Sequence, residues 1–134
     1  MDAELRALVW QRAGDRCEYY RLRQEYVPLT LQIEHIVAKQ HGGTDDPSNL
    51  ALACDRCNLH KGTNLSGIDP ETGQIVLLFH PRSQVWNDHF ATEHASIVGL
   101  TPVGCATIRV LNMNSPRRVR LRAALRERGL DFSR

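Results

Sequence analysis

Apolar residues recur at helical spacing near the start of the chain, where Leu5, Leu8 and Val9 interrupt a polar run. Gly14 follows where such a helix would stop, so residues 2–13 read as an amphipathic helix packed on a core. From Val27 to Ile33 the chain turns to β-formers, and Leu31 and Ile33 alternate with Gln32. That pattern predicts a strand running directly into Glu34 and His35. Residues 41–48 concentrate turn formers, and a short apolar run, Leu50 to Ala53, comes after them. The expectation is strand, loop, strand. Asp55 then caps a short helix through Lys61, with Asn58 in its middle and Gly62 ending it in the left-handed conformation.

Beyond this point Asp69 to Gly73 forms a strong turn and Ile75 to Phe79 a strand. A less regular segment carrying Trp86 and Phe90 completes the core. Thr101 before Pro102 starts a helix whose apolar face is Val103, Ala106, Val110 and Leu111. Ser115 before Pro116 repeats the signal, and Gly129 closes the last helix. The elements predict an α+β domain spanning residues 1–134, without internal repeat or linker.

A chain of 134 residues buries about two thirds of its unfolded surface, enough for one modest core. Apolar residues make up 42% and charged residues 24%, which argues against disorder and against a fibrous architecture. The net charge of +2 permits contact with a polyanion without demanding it. Its distribution is uneven: seven arginines (117, 118, 120, 122, 126, 128 and 134) lie after Ser115 against Glu127 and Asp131. Arg118, Arg122 and Arg126 recur every four residues and share one helix face, either tracking a phosphate backbone or simply solvated. No signal peptide opens the chain and no apolar run approaches the ~20 residues that span a bilayer, so a cytoplasmic protein without membrane contact is expected. In a reducing compartment the four cysteines are thiols or metal ligands rather than disulfides.

The chemistry concentrates between Glu34 and Lys61. Ile-Glu34-His35-Ile leads to His41-Gly42-Gly43, then Asn49-Leu50, then Cys54-Asp-Arg-Cys57-Asn58-Leu-His60-Lys61-Gly62. Phosphodiester hydrolysis needs a base for water and a cation to offset charge on the phosphate and leaving oxygen. This stretch offers both an imidazole and hard oxygen donors.

Over residues 13–62 the string resembles the HNH endonuclease family, whose site is a β-hairpin packed on a short helix, the ββα-metal or His-Me finger fold. The resemblance implies His35 as general base and Asn49 as the residue that pins the loop. It implies Glu34 and Asn58 as ligands of one divalent cation, Mg²⁺ or Mn²⁺. Flanking these would be an N-terminal helix and, in residues 63–134, C-terminal helices. Lys61, His60, Arg118 and Arg122 become candidate phosphate contacts. The implied activity is metal-dependent nicking of DNA to 5′-phosphate and 3′-hydroxyl ends; the alternative is a catalytically inactive nucleic-acid-binding module. A homodimer is compatible with either.

One departure stands out. Many members of the family hold hairpin and helix with a four-cysteine zinc knuckle, but here the first pair reads Cys17-Glu-Tyr-Tyr20. Cys17, Cys54 and Cys57 remain as a vestigial knuckle, and a phenol is a poor zinc ligand. Three outcomes stay open: a three-cysteine site completed by water or histidine, a metal-free remnant packed by Tyr20, or a fourth ligand brought in by folding.

Overall fold

The computed structural model describes residues 1–130; Asp131 and Arg134 lie outside the described residues. Helix α1 spans Ala3–Ala13, started by the Asp2 carboxylate accepting from the Leu5 N–H and ended at Gly14 with φ 65°. Its inward stripe is Leu5, Val9 and Ala13, each one turn after the last. Leu8, expected on that stripe, is 43% exposed, because three residues from Leu5 it falls to the rim.

Strand β1, Gln32–His35, pairs antiparallel with β2, Leu50–Ala53, in a register that sets Glu34 opposite Ala51 and His35 opposite Leu50. The strand expected from Val27 thus begins five residues later and contains Glu34 and His35. Pro28 has no N–H for a ladder, and the Leu31 N–H is taken by Gln24 Oε1 at 2.7 Å. Every residue of β2 is buried, as its unbroken apolar run requires.

Helix α2, Asp55–Lys61, packs on β1. Cys54 takes the cap position and Asp55 is the first helical residue, where its charge favours the helix N-terminus without capping it. Gly62 does turn the chain at positive φ, 51°, but with ψ −128° it lies outside the left-handed helical well. An L side chain would be strained there, so glycine is still required.

Strands β3, Ser66–Ile68, and β4, Ile75–Leu77, form a second hairpin around the predicted Asp69–Gly73 turn. The segment expected to be irregular is in fact a short helix α3, Trp86–His89, followed by a third hairpin of β5, Phe90–Glu93, and β6, Ser96–Gly99. Its turn hides from sequence reading because His94, not glycine or asparagine, adopts φ 55°. Helix α4, Pro102–Val110, starts as predicted, with Thr101 Oγ1 accepting from the Gly104 N–H, and packs on β6 and the second hairpin. Helix α5 spans Pro116–Glu127.

Helices and small antiparallel hairpins together make an α+β fold. The core runs from Val9 and Tyr19 through β2 to Phe79, Trp86 and Phe90. Among the described residues no helix is long and apolar enough to cross a membrane.

Candidate active site and cysteine cluster

His35 ends β1, with its side chain 24% exposed. Its Nε2 lies 2.7 Å from Asp45 Oδ1, in the loop between the two strands. That contact, above all, holds the Asp45 carboxyl below its usual range, helped by Lys39 Nζ at 3.7 Å. An ionised carboxylate only accepts, so the ring donates from Nε2, and in the neutral ring Nδ1 is left as the basic nitrogen.

The loop that carries Asp45 is tied by Asn49. Its Oδ1 accepts from the Val37 N–H at 2.8 Å, and its Nδ2 donates to the Val37 and Thr44 carbonyls at 3.0 and 2.9 Å. Gly43 brings the backbone so close to Val37 that a Cβ there would stand 1.7 Å from the Val37 oxygen. His41 is engaged elsewhere, with Nε2 3.1 Å from the Thr63 carbonyl.

Glu34 points from β1 toward α2 and is 6% exposed. Lys61 Nζ reaches its Oε2 at 3.0 Å, and the Tyr19 hydroxyl donates to Oε1. Burial pushes the Glu34 carboxyl up, and Lys61 and Tyr19 oppose that shift. Lys61 is itself buried and also donates to the Ile36 carbonyl at 2.9 Å. Its ammonium is therefore turned inward, where a phosphate in solvent does not reach it. Asn58, one turn earlier on α2, donates from Nδ2 to Gln32 Oε1 at 2.6 Å, which directs Oδ1 elsewhere.

Glu34, His35 and Asn58 all line one shallow cavity of about 310 Å³, together with Lys39 and Gly62. His60 lines a different cleft, of about 610 Å³, between α2, α5 and the loop at Tyr26 to Leu29. Oxygen from a carboxylate and an amide is a hard donor set, which fits Mg²⁺ or Mn²⁺. Such a cation would share the Glu34 carboxylate with Lys61.

Behind α2 the sulfurs of Cys17, Cys54 and Cys57 lie within 4.8 Å of one another, close enough to hold a metal ion, and all three residues are buried. Burial drives the Cys17 thiol up to about 12 and raises Cys57 as well, whereas hydrogen bonds from Cys17 and Cys57 lower Cys54 to about 2. Arg118 faces this cluster: Nη2 stands 3.0 Å from Cys57 Sγ and 3.4 Å from Cys54 Sγ.

Arg118 and Arg122 thus occupy neither a phosphate track nor a solvated face; they are 7% and 0% exposed. Their guanidinium carbons lie 3.8 and 4.3 Å from the centre of the Tyr20 ring. Arg122 also donates to the Ala95 and Met113 carbonyls at 2.8 and 2.6 Å. The exposed arginines of α5 are Arg117, Arg120 and Arg126. Sequence spacing showed that 118 and 122 share a face; only the partners show that the face points inward.

A hairpin whose first strand ends on an acid–histidine pair is backed by a short helix that presents an amide to the same cavity, a ββα arrangement. The family comparison agrees with that geometry: residues 17–64 match the family described as HNH endonuclease. Across that segment, about a third of its length, the chain is similar to the HNH endonucleases, a family of nucleases. No curated protein and no solved structure matches the chain.

Proposed function

We propose that the cavity between β1 and α2 hydrolyses DNA phosphodiester bonds one strand at a time, using one divalent cation. The observation that carries this reading is that His35, Glu34 and Asn58, distant in sequence or on opposite faces of a strand, line one cavity. His35 supplies the base. With Nε2 fixed on Asp45, Nδ1 takes the proton from an attacking water as its oxygen bonds to phosphorus. The bond to the 3′ oxygen breaks and that oxygen takes a proton from solvent, leaving a 5′-phosphate and a 3′-hydroxyl. Asn49 and Gly43 keep the loop that carries Asp45 in place, so the ring is oriented before substrate arrives. Glu34 and Asn58 would hold the cation, whose role when bound is to offset charge on the phosphate and the leaving oxygen.

The test is cleavage of supercoiled plasmid in Mg²⁺, Mn²⁺ or EDTA. The expected outcome is metal-dependent accumulation of open circles before linear DNA, because each chain has one such cavity among its described residues. His35→Ala and Asn58→Ala should each reduce the rate by roughly 100-fold or more while the protein stays folded. Cutting that survives His35→Ala would show that another group is the base. Binding without cutting in any metal would assign the chain as a non-catalytic module.

A further inference from the structure

The cysteine cluster behind α2 takes no part in the cleavage proposed above, and its chemistry reads independently. A structural zinc wants four donors in a tetrahedron, with sulfur about 2.3 Å from the metal. Three sulfurs are present, and among the described residues no histidine, carboxylate or fourth cysteine joins them within 4.8 Å. Tyr20 stands where the fourth cysteine would be expected, but its hydroxyl donates to the Arg118 carbonyl at 2.9 Å and so faces α5 rather than the sulfurs. Cys105 is elsewhere, against the Gly99 carbonyl.

What does face the sulfurs is a cation. The Arg118 guanidinium lies within 3.0 and 3.4 Å of two of them, with its other nitrogen donating to the Leu111 carbonyl at 3.0 Å. Its flat face rests on the Tyr20 ring, so the side chain is held on its edge and on its face. A guanidinium only donates and has no lone pair to offer, so Arg118 beside the sulfurs supplies no fourth donor for a metal. The residues present do not fit a four-coordinate zinc.

We infer that Arg118 closes the Cys17–Cys54–Cys57 cluster in place of a structural metal, joining α2 to α5 through guanidinium–sulfur contacts to Cys54 and Cys57 stacked on Tyr20. The substitution of tyrosine for the fourth cysteine belongs to the same arrangement, because the phenyl ring supplies the platform that a compact thiol does not. The cluster becomes a polar hub that depends on residues some 60 positions apart (|i−j| of 61 and 64).

The experiment is elemental analysis of the full chain purified from zinc-supplemented cells, together with its thermal unfolding with and without chelator. Zinc far below one equivalent per chain and an unchanged Tm in EDTA are expected. A full equivalent of zinc, or a Tm that drops when zinc is stripped, overturns the inference. Arg118→Met should lower Tm by roughly 10 °C, the scale expected when one partner of a buried charged contact is removed. A Tm within experimental error of the wild type would also overturn it. Should Arg118→Met fail to fold, the zinc content and chelator response of the wild type still decide, and Tyr20→Leu, which removes the platform but no charge, should lower Tm as well.

Discussion

Asp45 shows how much a single side chain adds to a site whose other members were legible. His35 stood out because an acid–histidine pair before a glycine loop has few other uses, whereas Asp45 sits in Thr44-Asp45-Asp46-Pro47, where both acids look like turn formers. Asp46 is one, accepting from the Ser48 N–H at 2.9 Å. Asp45 instead reaches back ten residues to the imidazole. If it sets which ring nitrogen is basic, Asp45→Ala should reduce kcat roughly 10-fold or more, the usual cost of losing a partner that orients a functional histidine. KM for plasmid and Tm should hardly move, since the carboxylate is nearly half exposed. Single-turnover cleavage measures this, and an unchanged rate would make the contact incidental. Glu34 and Lys61 were both legible as functional types, but their pairing was not: nothing local to either shows that the ammonium buries itself against the acid.

At the scale of elements, local signals predicted starts and stops well. Caps at Asp2 and Thr101, Pro102 and Pro116 in first turns, and glycines at positions 14 and 129 mark helix ends through backbone chemistry that neighbours decide. The third hairpin was missed for the same reason in reverse, because His94 carries a conformation its residue type seldom advertises. The two loop glycines offer a test of what each is for. Gly42 has φ 89° and open space around its missing Cβ, so Gly42→Ala should cost about 1 kcal/mol of backbone strain. Gly43 lies against the Val37 carbonyl, so Gly43→Ala forces the loop apart at a cost of about 1–3 kcal/mol or more. Urea unfolding should rank Gly43→Ala as the more damaging. It should also lose more cleavage, because that loop carries Asp45 and Asn49 toward His35. Equal losses in the two variants would remove close approach as the reason for Gly43.

For the whole molecule, stability at mildly acidic pH should carry the signature of His80. Its Nδ1 accepts from the Arg82 and Ser83 N–H groups, each at 3.2 Å, and burial lowers its pKa from the ordinary value of 6.5. Below that value the unfolded chain binds the proton first, so stability falls as pH drops from about 6.5 toward the folded pKa. His80→Asn keeps an acceptor at the same reach without a titrating ring. Urea midpoints at pH 5 and pH 7.5 should therefore differ less in this variant than in the wild type; an undiminished difference would place the acid sensitivity elsewhere. The turn beyond His80 also brings Arg82 onto Glu18, which accepts from the Leu52 N–H at 2.8 Å, so this region is pinned to the first hairpin. The sequence by itself determined the α+β composition, most helix boundaries, and the acid–histidine pair, loop asparagine and helix asparagine of the candidate site, because capping, periodicity and motif spacing act over a few residues. Only the tertiary structure decided which charges face inward. Lys61 on Glu34, Asp45 on His35, and Arg118 and Arg122 around Tyr20 are pairings across 10 to 102 positions, and burial assigns a side chain its partner through the packing of distant elements, which no local pattern records.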